Sequence, residues 1–274
     1  MKRMNRLARG RPSQAARQGR SAPPAAPEER ILEISAVGGR GDAVTVGAEG
    51  PIYAPFALPG EKVRALVTGG RADVVEVLEP STQRQAAACR HFGRCGGCQL
   101  QHWKDEPYLT WKRDQVIDAL DRRGMGGAVV DATVPAWGEG RRRAAFHAAR
   151  LKGQARIGFI ERGGARLTPI AECPVLTPAL QAVALKLGPL AELILPQRGE
   201  ITLHCLATDA GVDVAIKGAG RPQALHRAAL EALSNAANEL NLARLAMDGE
   251  VVVERAKPAL RMGRAVVNPP PGAF

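Results

Sequence analysis

Long apolar runs are missing from this 274-residue chain. No stretch approaches the ~18 consecutive apolar residues that a membrane helix needs, so no membrane partner is expected. Aromatic residues are scarce at 4 %, and a nucleic-acid surface built on this chain must rest more on charge than on stacking. The first 25 residues hold no acid, which resembles a transit peptide, but they lack its apolar stripe and the apolar core of a secretory leader. Pro23 and Pro24 interrupt them as well. Residues 1–29 therefore read as a disordered basic tail. A cytoplasmic location is expected, where stable disulfides are rare. Internal repeats and the glycine fingerprints of P-loop and dinucleotide-binding folds are absent too.

What the chain has in excess is positive charge, a net of +11, which points to a polyanionic partner. It is unevenly spread. Residues 1–29 carry seven Lys/Arg against two Asp/Glu, residues 30–80 five against seven, residues 81–178 sixteen against nine, and residues 179–274 ten against nine. The folded part of the positive field thus lies in 81–178.

From Ile31 to Leu78 short strand-like segments alternate with turns: "ILEISAV", "AVTVG", "PIYAPF", "EKVRALV" and "ADVVEVLE", separated by "GGRGD", "EG", "LPGE" and "TGGR". Five strands at this spacing predict a small closed β-barrel of OB-like type. Asp105 to Arg123 reads as a helix, with Pro107 in its first turn, an apolar stripe of Leu109, Val116, Ile117 and Leu120, and Gly124 as its stop. Beyond Val129 strands and helices alternate. "RRAAFHAARL", "ARIGFIE", "ITLHCLAT", "GVDVAIKG" and "EVVVER" are the strands; 178–194 and 222–240 are the helices. That pattern predicts an α/β domain.

Five cysteines are present. Cys89, Cys95 and Cys98 fall within ten residues, Cys173 is followed by Pro174, and Cys205 sits in a strand-like segment where a buried small hydrophobe is the default. Structural zinc with four cysteines usually presents two CxxC knuckles, and only one is here. Three clustered thiolates plus a remote Cys-Pro come closer to the ferredoxin manner of holding a 4Fe-4S cluster. Zinc and unligated cysteines stay open on this chemistry alone. Gly96 and Gly97 fit a loop needing positive φ and close approach, and Arg90, His91 and Arg94 are placed to offset thiolate charge. His102 and His147 read as structural or RNA-facing side chains. In the same way Arg141, Arg142 and Arg143 are RNA-contact candidates, joined by Lys62, Arg64, Arg40 and Arg71 in the otherwise acidic barrel.

Together "PGEKVRA", "CRHFGRCGGCQLQHW", "YLTWKRDQV", "RRRAAFHA", "ARIGFIERGGARLTPIAECPVLTPAL" and "PPPGAF" resemble the bacterial 5-methyluridine RNA methyltransferases, from about Ile31 to Phe274. The resemblance implies a TRAM domain, an OB-like barrel over 30–80, and a central α/β iron–sulfur domain over 81–274. The 4Fe-4S ligands would be Cys89, Cys95, Cys98 and Cys173, and the helix at 100–123 would pack against a catalytic domain. It also implies RNA as partner, 23S ribosomal or transfer, and S-adenosylmethionine as cofactor of the complete enzyme.

In relatives "PGAF" leads into a Rossmann-like methyltransferase domain that carries the attacking cysteine, the base and the cofactor site. No residue here matches those, so no catalytic residue is assigned and the chain is expected to be an inactive monomeric N-terminal portion. The alternative is a stand-alone RNA-binding iron–sulfur module with no enzymatic role; a zinc-bound, ribosome-associated β-barrel protein is a third reading.

Overall fold

A computed structural model describes residues 26–135 and 140–273. The expected basic tail lies outside them up to residue 25.

The first sheet has six strands: β1 (Glu28–Glu33), β2 (Ala36–Val37), β3 (Ala43–Gly47), β4 (Gly50–Ala54), β5 (Lys62–Thr68) and β6 (Arg71–Glu79). All five strand-like segments appear; the first is split by Ile34 and Ser35. The ladder order is β1-β5-β6-β4-β3-β2 and it is open, which corrects the closed barrel. Its two ends are consecutive in the chain. The Ile34 amide donates to the Glu61 carbonyl and the Ser35 amide to the Val44 carbonyl, so the connecting residues face both flanks. Leu32, Ile52, Val63, Ala65 and Val67 alternate inward to form one core.

Helix α1 (Asp105–Asp121) starts on acidic Asp105 and Glu106, which suit the positive end of its dipole. None of its residues is fully buried, and Val116 of the expected stripe is 49 % exposed. The helix is held by its aromatic side instead. Tyr108 and Trp111 pack against a small cluster of Val37, Leu58 and Trp103, and the Trp111 indole donates to the Val37 carbonyl at 3.0 Å.

The second sheet contains β7 (Arg143–Leu151), β8 (Gln154–Ile160), β9 (Leu167–Pro169), β10 (Glu200–Thr208), β11 (Gly211–Lys217), β12 (Arg244–Met247) and β13 (Glu250–Glu254). Its order is β13-β12-β11-β10-β7-β8-β9. Only β11 and β12 pair in parallel, through a crossover containing a 3₁₀ turn and helix α4 (Arg227–Glu239). The architecture is therefore α+β, a mainly antiparallel sheet with helices on one face. The expected helix at 178–194 is two, α2 (Pro178–Ala184) and α3 (Leu187–Ile194). Leu180, Leu187, Leu190 and Leu233 from the helices meet Phe146, Ile201, Leu203, Val214 and Ile216 from the sheet in the largest core. A final hairpin, β14 (Leu260–Met262) and β15 (Ala265–Val267), forms a separate two-stranded ribbon.

No helix among the described residues is long and apolar enough to cross a membrane.

Candidate functional site

Four of the five cysteines line one small cavity: Cys89, Cys95, Cys98 and Cys173. All five cysteines are free of disulfides. Local backbone geometry explains the convergence. The Phe92 amide returns to the Cys89 carbonyl and the Cys95 amide to the His91 carbonyl, coiling the loop. Gly96 donates to the Ile160 carbonyl at 3.0 Å, and a Cβ at Gly96 would stand 2.5 Å from that oxygen. Gly96 thus serves close approach to β8, and neither it nor Gly97 has positive φ; Gly93, at +86°, does. From the other side, the Cys173 amide donates to the Gln181 side chain of α2 at 3.2 Å, and the Cys89 amide to the Gln101 side chain at 3.1 Å.

The thiols feel burial and one another. Burial pushes Cys173 up to about 11, with Cys98, Cys89 and Cys95 adding to the rise. Cys95 is raised by burial first and by Cys98 and Cys89 next, while the Gly97 amide, which donates to its sulfur at 3.4 Å, and Arg141 act in the opposite sense. As the side chains stand, no three or more His, Cys, Asp or Glu among the described residues converge tightly enough to hold a metal ion.

Arg141 is the residue whose place differs most from expectation. It lines the cysteine cavity, fixed there by a backbone bridge in which its amide donates to the Val175 carbonyl and its carbonyl accepts from Thr177. Arg142 and Arg143 continue onto the start of β7, both exposed. The residues expected to offset thiolate charge also brace neighbouring segments, and His91 lines the cavity. Arg90 lies 3.4 Å from Glu172, Arg94 lies 3.1 Å from Glu161, and His91 accepts from the Ala171 amide at 3.2 Å.

In the first sheet Lys62 lies 3.4 Å from Glu79, and Arg64 pairs with Glu76 and lies 3.9 Å from Glu29. Arg40 is exposed in the β2–β3 loop. Arg71 and Arg162 both reach buried Asp42, Arg71 at 3.8 Å.

A buried joint links this sheet to the cysteine loop, and nothing in the residue pattern announced it. Glu61, 1 % exposed, accepts from the Leu58 amide at 2.8 Å, from the Ser81 amide at 3.2 Å and from Arg84 through both carboxylate oxygens. Burial pushes the Glu61 carboxyl up, but these donors outweigh it and hold it below the usual range. His102 is buried beside Phe56 and Phe92, and burial together with Arg84 pushes it down to about 4. Among the described residues neither ring nitrogen makes a well-formed hydrogen bond; the Ala57 backbone is the hydrogen-bonding group that acts on it, and weakly.

Cys205 settles as the buried small hydrophobe expected of it. Cys205 is fully buried in the helix-side core, which pushes its thiol far up. His147 stands on β7 with Nδ1 3.9 Å from the Glu200 carboxylate.

No family model matches the chain. Individual relatives do. A Caulobacter vibrioides protein named as an uncharacterized RNA methyltransferase is 43 % identical over 248 residues, covering 89 % of this chain and 60 % of the relative. The chain is similar to proteins named as RNA methyltransferases. A Brucella suis protein of the same designation is 39 % identical over 243 residues, 89 % of this chain and 58 % of its own length. The 23S rRNA (uracil(1939)-C(5))-methyltransferase RlmD of Halomonas elongata is 36 % identical over 196 residues, 69 % of this chain and 40 % of that protein. The chain thus spans about 40 to 60 % of the length of these relatives.

Proposed function

We propose that this chain is the RNA-holding and cluster-binding portion of an S-adenosylmethionine-dependent RNA (uracil-5) methyltransferase acting on ribosomal or transfer RNA. In this reading residues 30–80 are the TRAM module and residues 81–274 the iron–sulfur module. The observation that carries it is the gathering of Cys89, Cys95, Cys98 and Cys173 around one cavity in a relative of RNA methyltransferases. The chemistry of the donor set, though not its present spacing, supports this reading: four unbridged thiols, a backbone N–H aimed at one sulfur, and the Arg141 cation on the cavity wall suit a centre bound by thiolates. A 4Fe-4S cluster held there would supply a structural centre.

The protein's own residues then set what can happen around it. The Gln181 and Gln101 side chains fix two ligand backbones. Gly96 lets the loop press on β8, and Phe159 and Ile170 wall the site against water. Removal of one ligand leaves three thiols without their common centre.

Methyl transfer to carbon 5 of uracil needs a thiolate free to attack carbon 6. All five cysteines of the chain are otherwise engaged: four line the cavity, and Cys205 is buried with its thiol pushed far up. The chain alone therefore binds RNA without turnover.

Anaerobic purification with iron, sulfide and zinc determination tests the cluster. About four irons per chain, visible charge-transfer absorption and bleaching in Cys95→Ser are expected; one zinc and no iron would refute it. Incubation with labelled S-adenosylmethionine and unmodified RNA tests the second claim. Label in 5-methyluridine, abolished in Cys205→Ser, would overturn it.

A further inference from the structure

The last twenty residues hide a charge excess that a regional average masks. From Arg255 to Phe274 the chain carries Arg255, Lys257, Arg261 and Arg264 and no acid at all. Arg255 is occupied, donating to the carbonyls of Leu242 and Asn241. The other three are exposed.

Two of them ride on the β14–β15 hairpin. Leu260 pairs with Val267, Arg261 with Val266 and Met262 with Ala265. The turn is therefore the two residues Gly263 and Arg264, with Gly263 at φ +61°. Glycine first in a two-residue turn matches the twist of the strands and gives a well-defined tip. Arg264 occupies that tip. Cross-strand partners share a face, so Arg261 and Val266 lie on one side and Met262, Ala265 and Val267 on the other. Met262 is 65 % and Val266 60 % exposed. An isolated ribbon presenting apolar side chains to water on both sides gains little from its own packing.

The ribbon is nevertheless rooted. The Arg261 amide donates to the Asp209 carboxylate at 3.1 Å, and the Asp209 amide donates to the Ala259 carbonyl at 2.9 Å. Asp209 closes the β10–β11 turn. Two residues before it, the Ala207 amide donates to the Arg142 carbonyl. The hairpin therefore rises from the same end of the seven-stranded sheet as Arg142 and Arg143, and Arg141 beside them lines the cysteine cavity.

We propose that the β14–β15 hairpin is an RNA-contacting finger. Arg261 and Arg264 neutralise phosphates, and Met262 and Val266 pack on unstacked bases or sugars, extending the basic rim at Arg142. The occupant is RNA because every free charge on the ribbon and its stem is positive. Single-stranded or looped RNA suits it best, since a ribbon of this kind cannot read the deep, narrow groove of an A-form duplex. The proposal rests on the RNA-holding function above.

The test uses the full chain and a set of single-stranded and stem-loop ribosomal and transfer RNA fragments, with affinity measured across a salt series. Each lost phosphate contact on single-stranded RNA lowers the slope of log affinity against log salt by about 0.7. Arg261→Ala/Arg264→Ala is expected to flatten the slope by about 1.4 and to weaken binding about 25-fold at 0.1 M salt. Met262→Ser/Val266→Thr is expected to weaken binding with no change of slope, because apolar contacts release no counterions. Lys186→Ala/Arg198→Ala, on the helix-side flank, serves as the control. Failure of the unaltered chain to bind any of these RNAs overturns the RNA function itself. Binding by the unaltered chain, with the arginine pair variant unchanged in slope and affinity, overturns the finger alone.

Discussion

The two sheets of this protein use charge in opposite ways. In the six-stranded sheet the charges that matter point inward or toward each other. Glu61 and Asp42 are buried, each held by arginine from outside the sheet, while Lys62 and Arg64 are matched by Glu79, Glu76 and Glu29. In the seven-stranded sheet the core is apolar, and one buried pair, Arg244 with Asp213, bonds through two contacts of 2.9 and 2.7 Å. Of its other cations, Arg142 and Arg143 stand at the start of β7, while Arg150, Arg156 and Lys217 lie elsewhere along the sheet. A basic residue is available to a polyanion only where no acid has already claimed it, so net charge over a region is a poor guide to where RNA sits.

The largest expected effect attacks the first half of that contrast. Glu61→Ala leaves Arg84 and two backbone amides without their shared acceptor. Losing one partner of a buried pair costs about 3–5 kcal/mol. Urea unfolding of the six-stranded region should show it, and a loss under ~1 kcal/mol would mean that the carboxylate is not the joint.

Next comes pH. With His102 held at about 4 in the fold, the unfolded chain takes up a proton below about 6.5 that the fold refuses. Stability should therefore decline as pH falls from about 6.5 to 4, by up to ~3 kcal/mol. Glu61, held low, contributes stability above the ordinary carboxyl range and loses it only at lower pH still. His102→Phe should remove the part of the slope above pH 4.5; an unchanged slope there would assign it to other groups.

A smaller effect tests the exposed end of the second sheet. Arg142→Ala should flatten the RNA salt slope by about 0.7, while Arg141→Ala should disturb the visible absorption of the proposed cluster instead. The smallest is the converse. Lys62→Ala/Arg64→Ala should change RNA affinity less than twofold, because acids already hold both side chains. A loss of slope equal to that of Arg142→Ala would erase the contrast between the sheets.

Much of this architecture was legible because turn chemistry is local. The strands of the first sheet follow from "GGRGD", "LPGE" and "TGGR", and the spacing of four cysteines anticipated their meeting. What escaped depends on partners distant in sequence. Strand β12 opens on Arg244, which reads as surface until Asp213, thirty-one residues earlier, neutralises it. The stripe on α1 was misplaced because apolar periodicity says nothing of which side finds a partner; Tyr108 and Trp111 found Val37 and Trp103. Arg141 looked like its two neighbours until the Leu176 bridge turned it toward the cavity. Ring closure needs long-range ladder bonds, and strand spacing alone does not report whether they form.

The parallel junction of β11 and β12 bears on the order in which the chain becomes a structure. Antiparallel β10 and β11 are joined by a tight turn and can zip as soon as residue 217 has emerged from the ribosome. The far flank of β11 then waits for α4 to cross and for residue 247 to arrive, since non-local pairing bears its loop-closure cost before any reward. During that interval a row of Val212, Val214 and Ile216 stands with one ladder unfilled. Nascent chains stalled between residues 217 and 247 should be the species most prone to aggregate, and the ones a chaperone binds.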